Sequence, residues 1–198
     1  MLKIFGVIGF FVELWIYFSF TINIQKFLLN SFKRLNFKYY NKPPNMKSIG
    51  YFISFLILNF SALGLGIILM NNGPMDSWYQ TLNQAPWTPP NWVFGTAWSI
   101  VMICFSFYMT SLAKLRMGSS LWGLYFLQLA FNIAWNYLFF NQHLVLLGSI
   151  NLILLLGLIS FFLVKNKKLL GYKTILIAPY FLWLLIANSL NIYILFNN

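Results

Sequence analysis

The chain has 198 residues, of which 60% are hydrophobic, 21% aromatic and 8% charged. An ordinary soluble domain carries about 25% charged residues, so this composition excludes a water-exposed fold and points to lipid as the solvent. The net charge of +11 does not mark a nucleic-acid binder: the basic residues fall between apolar runs, the pattern of membrane topology and anionic headgroups.

Six runs approach or reach the roughly 20 apolar residues that cross a bilayer: Ile4–Ile24, Ile49–Met70, Trp92–Thr110, Leu121–Phe140, Leu144–Val164 and Thr174–Phe196. None alternates in polarity as a membrane strand does, and backbone groups in hydrocarbon must be satisfied internally, so each is predicted to be a helix. The expectation is an all-α integral membrane protein.

The first run carries Glu13 at its middle, where an acid costs about 2–3 kcal/mol on insertion. Two readings of Glu13 stay open, a snorkelling acid and one that faces a partner. Lys3 ahead of this run resembles the start of a signal peptide, but no small-residue cleavage site follows, so the run reads as an uncleaved anchor. Residues 30–47, with Pro43 and Pro44, read as a basic linker along the lipid surface. In the second run, Ala62 and Gly66 lie four apart and permit a close helix approach.

The loop before the third run is the most informative stretch. Trp78, Trp87, Trp92 and Trp98 fall within the stretch from this loop into the run, and Pro86, Pro89 and Pro90 make most of the loop incompatible with helix. The third helix is expected to open at Thr88 or Pro89. Such a stiff aromatic loop can act as a lid over a pocket, and the competing reading is an interfacial aromatic belt. The belt suits Trp78 and Trp92 as well as the lid does. Trp87, pinned between prolines, suits the lid better than the belt, and Trp98, nearly two turns inside its helix, is read as facing the bundle.

The later runs carry amides in helical register. Gln128, Asn132 and Asn136 share one face with Trp135 beside them, Asn188 and Asn191 lie three apart, and Trp183, Ala187 and Asn191 repeat every four residues. Amides in a lipid-embedded helix turn inward, either to bond neighbouring helices or to orient a ligand between tryptophan walls. Pro179, near the start of the last run, is expected to kink it.

Twelve of the thirteen basic residues fall in three segments on one side of this topology: Lys26, Lys33, Arg34, Lys38, Lys42 and Lys47; Lys114 and Arg116; Lys165, Lys167, Lys168 and Lys173. Only Lys3 falls on the other. The positive-inside rule places those segments in the cytoplasm and turns the loop 71–91, the turn at His143 and the C-terminus outward.

Hydrolytic chemistry has little to work with. His143 and Asp76 are the candidates outside the first run, read as a solvated turn residue and a loop or cap residue. His143 and Cys104 lie far apart, so no metal site is expected, and no glycine-rich phosphate loop is present. Cys104, in an apolar run, reads as a small core residue. Runs two to six hold no ionisable residue for ion coupling.

The blocks Trp78-Tyr79 … Ala85-Pro86-Trp87-Thr88-Pro89-Pro90-Asn91-Trp92-Val93-Phe94-Gly95 … Trp98, Phe131-Asn132-Ile133-Ala134-Trp135 … Phe139-Phe140 and Ala178-Pro179-Tyr180-Phe181-Leu182-Trp183 … Ala187 … Leu190-Asn191 resemble, in order, the signature of the TspO/MBR family, the tryptophan-rich sensory and translocator proteins. The resemblance covers residues 46–198. It implies a five-helix bundle, often a homodimer, in a bacterial-type cytoplasmic membrane, with the loop between the first two family helices closing a pocket. It implies porphyrin ligands such as protoporphyrin IX, or other flat apolar molecules including sterols, and no resident cofactor. By position, Trp87, Trp98, Asn132, Trp135, Trp183, Ala187 and Asn191 are the ligand-binding residues it implies. Trp98 and Trp183 match a pair implicated in light- and oxygen-dependent porphyrin degradation, so they are the catalytic candidates of an alternative, weakly enzymatic reading. Residues 1–45 lie outside the resemblance and read as a sixth transmembrane helix with a linker, or as a misplaced start ahead of Met46. The family's sterol pattern needs a base after tyrosine, whereas Tyr193 is followed by Ile194-Leu195-Phe196-Asn197-Asn198.

Overall fold

The computed structural model describes residues 46–115 and 118–198. The readings of Glu13 and the first run, of the linker and of Arg116 fall outside them. The described residues are helical with short links: α1 (Met46–Leu69), a 3-10 turn (Gly73–Met75), α2 (Ser77–Thr81), α3 (Asn91–Ala113), α4 (Ser119–Asn136) extended by a π-helical turn (Tyr137–Asn141), α5 (Val145–Leu170), a 3-10 stretch (Gly171–Ile177) and α6 (Ala178–Asn197). The five long helices close a ring in which α1 packs on α3, α3 on α6, α6 on α5, α5 on α4 and α4 on α1.

The exterior of this ring is apolar where that of a soluble bundle is polar. Ile53, Ile57, Leu65 and Ile68 of α1 and Leu146, Leu147, Ile150, Ile153 and Leu154 of α5 point outward, while Asn59, Ser106, Gln128 and Asn132 are buried. Water would penalise so large an apolar exterior, and hydrocarbon removes the penalty. By length and composition, three stretches among the described residues can cross a membrane, Lys47–Met75, Asn91–Ala113 and Val145–Asn197, the last holding both α5 and α6. Helix α4 is absent from that set because its inward amides lower its hydropathy. Lys114, Lys165, Lys167, Lys168 and Lys173 are all exposed, in or beside the α3–α4 and α5–α6 links, where their charges stay hydrated.

Local chemistry sets the element ends. Thr88 and Pro89 each precede a proline, which excludes the α conformation there, so α3 opens later than expected: Pro90 is its N-cap and accepts from Val93 N–H at 2.9 Å. Pro179 falls in the first turn of α6, where its missing N–H costs nothing; the change of geometry precedes it, in the 3-10 stretch, and no interior kink is produced. Gly171, at φ +56°, ends α5 in a left-handed conformation that a side chain disfavours.

Interior polar groups tie the helices together. Tyr125 OH donates to Asn59 Oδ1 at 2.9 Å, and Asn59 Nδ2 donates to Ser106 Oγ at 2.9 Å, joining α4, α1 and α3. Asn132 Nδ2 donates to Tyr180 OH at 2.7 Å, and Tyr180 OH donates to Gln128 Oε1 at 3.0 Å, joining α4 to α6. Gly66 lets α1 approach α4, since a Cβ there would stand 2.6 Å from Asn136 Nδ2.

Candidate functional site

At the end of the bundle where α3 begins and α6 ends, the side chains leave one aromatic cavity. Its walls are Phe94 and Trp98 of α3, Trp135 of α4, Phe139 and Phe140 of the π-helical turn, and Trp183, Ala187, Leu190, Asn191 and Ile194 of α6; Tyr79 of α2 completes it. Each wall follows from local structure. Trp183, Ala187 and Asn191 form one stripe because residues four apart share a helix face. Phe139 and Phe140 are consecutive yet both buried at the cavity, an arrangement that accompanies the widened turn, in which Gln142 N–H bonds Tyr137 O at 3.0 Å.

The rings interlock. Trp98 meets Trp183 with centroids 6.4 Å apart and Trp135 at 6.4 Å, and Phe94 meets Trp183 edge-on at 5.7 Å. Tyr79 sits edge-on to Phe140 at 5.3 Å, and burial pushes its phenol pKa up. The space between these walls is small, about 10 Å³, room for about one water.

The loop that supplies Tyr79 is fastened at three points. Asp76 caps α2, its carboxylate accepting from Trp78 N–H at 2.8 Å. Trp78 then stacks on His143, in the α4–α5 turn, with centroids 4.0 Å apart and planes 11° apart. At the other end, Asn83 N–H donates to Asn198 Oδ1 at 2.8 Å, and Asn198 Nδ2 donates back to Asn83 O at 3.4 Å. Four residues further on, Trp87 Nε1 donates to Ser189 Oγ at 3.2 Å and its ring meets Tyr193 edge-on at 5.4 Å.

Of the seven residues expected at the site, the structure gathers Trp98, Trp135, Trp183, Ala187 and Asn191 around the cavity. It places Trp87 outside: 47% exposed, Trp87 fastens the loop to the outer face of α6. The prolines hold its backbone stiff, but they do not aim its side chain inward. Asn132 is also outside, committed to Tyr180. Trp92 is 71% exposed, as a belt residue would be, and Trp122 stays at the α1–α4 seam against Phe55. Sequence reasoning missed Tyr79, Phe139 and Phe140 as walls. The family blocks contain all three, so a signal was present, but their composition is that of any apolar run.

The cavity is aromatic and holds no charged residue. Trp135 Nε1, Trp183 Nε1 and Asn191 Nδ2 are buried at it without a hydrogen-bond partner, although such groups are nearly always paired in a finished interior. A small aromatic chamber, three indoles converging on it and unspent donors define a helical membrane protein with a ligand-type cavity under a fastened loop. The sequence model of the TspO/MBR family matches residues 48–196, and the chain belongs to that family. It is 32% identical over 119 residues to protein CrtK of Rhodobacter capsulatus, covering 58% of this chain and 74% of that one. To the tryptophan-rich protein TspO of Archaeoglobus fulgidus it is 30% identical over 140 residues, 68% of this chain and 89% of the relative. To the translocator protein of Bos taurus it is 29% identical over 119 residues, 58% and 70% of the two chains.

Proposed function

We propose that the cavity binds flat apolar molecules, tetrapyrroles of the protoporphyrin IX type among them, and that the chain acts as a membrane sensor or carrier for them. The observation that supports this reading is the convergence of Trp98, Trp135 and Trp183 on one uncharged chamber. Indole faces stack on planar macrocycles, and a buried apolar cavity with a few polar groups is the usual form of a small-molecule site. Relatives named as sensory and translocator proteins fit the same reading. The lysines at the opposite end favour an orientation with that end in the cytoplasm and the loop outward.

The test is titration of the purified chain with protoporphyrin IX, followed by tryptophan fluorescence. Saturable quenching that weakens at least about tenfold in Trp98→Phe or Trp183→Phe supports the reading. Non-saturable quenching, equal in the variants, removes it. A second reading, light-dependent oxidation of the bound porphyrin with dioxygen as the oxidant, draws on the contact between Trp98 and Trp183, which would hold two indoles against the excited macrocycle.

A further inference from the structure

We infer that Trp78 and His143 form a proton-sensitive clamp, which holds the loop segment 76–83 more firmly when the imidazole of His143 is charged. The clamp does not depend on what the cavity takes.

The two rings lie face to face, with centroids 4.0 Å apart and planes 11° apart. His143 stands in the α4–α5 turn. Its backbone is left-handed, at φ +55°, a conformation that a residue with a side chain keeps where its surroundings hold it. Gln142 N–H bonds Tyr137 O at 3.0 Å and Leu144 N–H bonds Leu138 O at 2.9 Å, so the turn is fixed on both sides of the histidine. Trp78 belongs to the loop. Its N–H is held by Asp76, its carbonyl accepts from Thr81 Oγ1 at 2.8 Å, and its ring also meets Phe139, a cavity wall, edge-on at 5.7 Å. Tyr79, the next residue, is another wall. The stack therefore joins a fixed turn to the segment that covers the chamber.

A neutral imidazole and an indole attract each other as stacked aromatics. Protonation places a cation over the face of tryptophan, the best aromatic partner for one. His143 is exposed, so the charged ring stays hydrated on the side away from the indole. The charged form thus favours the fastened loop more than the neutral form does. This extra hold is present at the acid end of the histidine range and is lost as pH rises.

No second charge change competes with it. In the last turn of α1, the 3-10 turn, α2, the π-helical turn and the first turn of α5, the titratable groups besides His143 are Asp76, Tyr79 and Tyr137, and no Lys or Arg is present. Carboxylates stay charged and phenols neutral between pH 6 and 8. The Asp76 carboxylate, an anion on the same segment as Trp78, acts in the same direction as the indole.

The full chain, without ligand, is followed in nonionic detergent at pH 6 and pH 8, across the histidine range. Amide exchange of residues 76–83, corrected for the intrinsic dependence of exchange on pH, reads the opening of the segment. The expected result is about two- to fivefold higher protection at pH 6, the size of a cation–π contact at an exposed site. His143→Phe keeps a stacked ring without a proton, and His143→Asn suits the left-handed backbone; in both, protection should be equal at the two pH values. Trp78→Leu, which removes the indole face, should lose the difference as well. Equal protection at pH 6 and pH 8 in the unaltered chain overturns the inference. The same pH dependence in either His143 variant overturns it too, by assigning the effect to another group.

Discussion

Trp98 and Trp183 meet edge to face across the cavity, with centroids 6.4 Å apart and planes 82° apart. Removing both indoles strips two walls from one chamber, so the two changes should couple and not add. Trp98→Phe/Trp183→Phe is expected to lose saturable protoporphyrin IX quenching. Under illumination in air, bleaching of the porphyrin should slow relative to the unaltered chain. Equal bleaching rates in the two proteins exclude an oxidative role for this pair.

The loop's fastening gives a kinetic prediction. Asn198→Ala removes both bonds to Asn83, and Ser189→Ala removes the acceptor of Trp87 Nε1. A chamber with room for about one water admits a larger ligand only when its walls move. The combined variant should therefore raise the association rate in stopped-flow quenching several-fold, with a smaller change in equilibrium affinity. An unchanged rate shows that access does not pass under this loop.

Tyr180→Phe tests whether the inner amides are structural. It leaves Asn132 Nδ2 and Gln128 Oε1 buried without partners. The expected loss is about 1–2 kcal/mol, between the averages for membrane hydrogen bonds and for orphaned buried groups, measured as thermal stability in detergent. The ring that meets Trp98 at 5.9 Å is retained, so porphyrin affinity should stay within about twofold. A large loss of affinity at normal stability would place Tyr180 in the binding machinery instead.

The α1–α4 contact makes a paired prediction about two glycines in one helix. Gly66→Ala puts a Cβ 2.6 Å from Asn136 Nδ2 and should destabilise by about 1–3 kcal/mol. Gly64→Ala meets nothing within 4 Å and should be neutral or slightly stabilising through helix propensity. Melting temperatures that rank the two variants the other way round would contradict the observed packing.

The long helices and the proline-rich loop were legible because apolar run length and proline chemistry are local properties. The amides were legible as a class: all of those predicted to turn inward do so. Which of them bonds a helix and which meets the cavity depends on what stands opposite, and that separates Asn132 from Asn191 though both lie in family blocks. Asn59 gave a usable signal, a lone amide in an apolar run. The π-helical turn gave none, because a widened turn has no composition of its own; the adjacent burial of Phe139 and Phe140 could not be read from a 3.6-residue period. That Trp87 rests on Ser189 and Tyr193 instead of among the cavity walls could not be read either, because backbone stiffness says nothing about side-chain direction.

The chamber's small volume has one further consequence. A site with space for about one water cannot accept a macrocycle and keep its outline. Occupancy must displace Tyr79, the helix ends or both, and Tyr79 belongs to the same segment that rests on His143 and Asn198. On the proposed function, a loaded molecule would therefore present a different outer face from an empty one, and filling of the interior would be readable by whatever touches that surface.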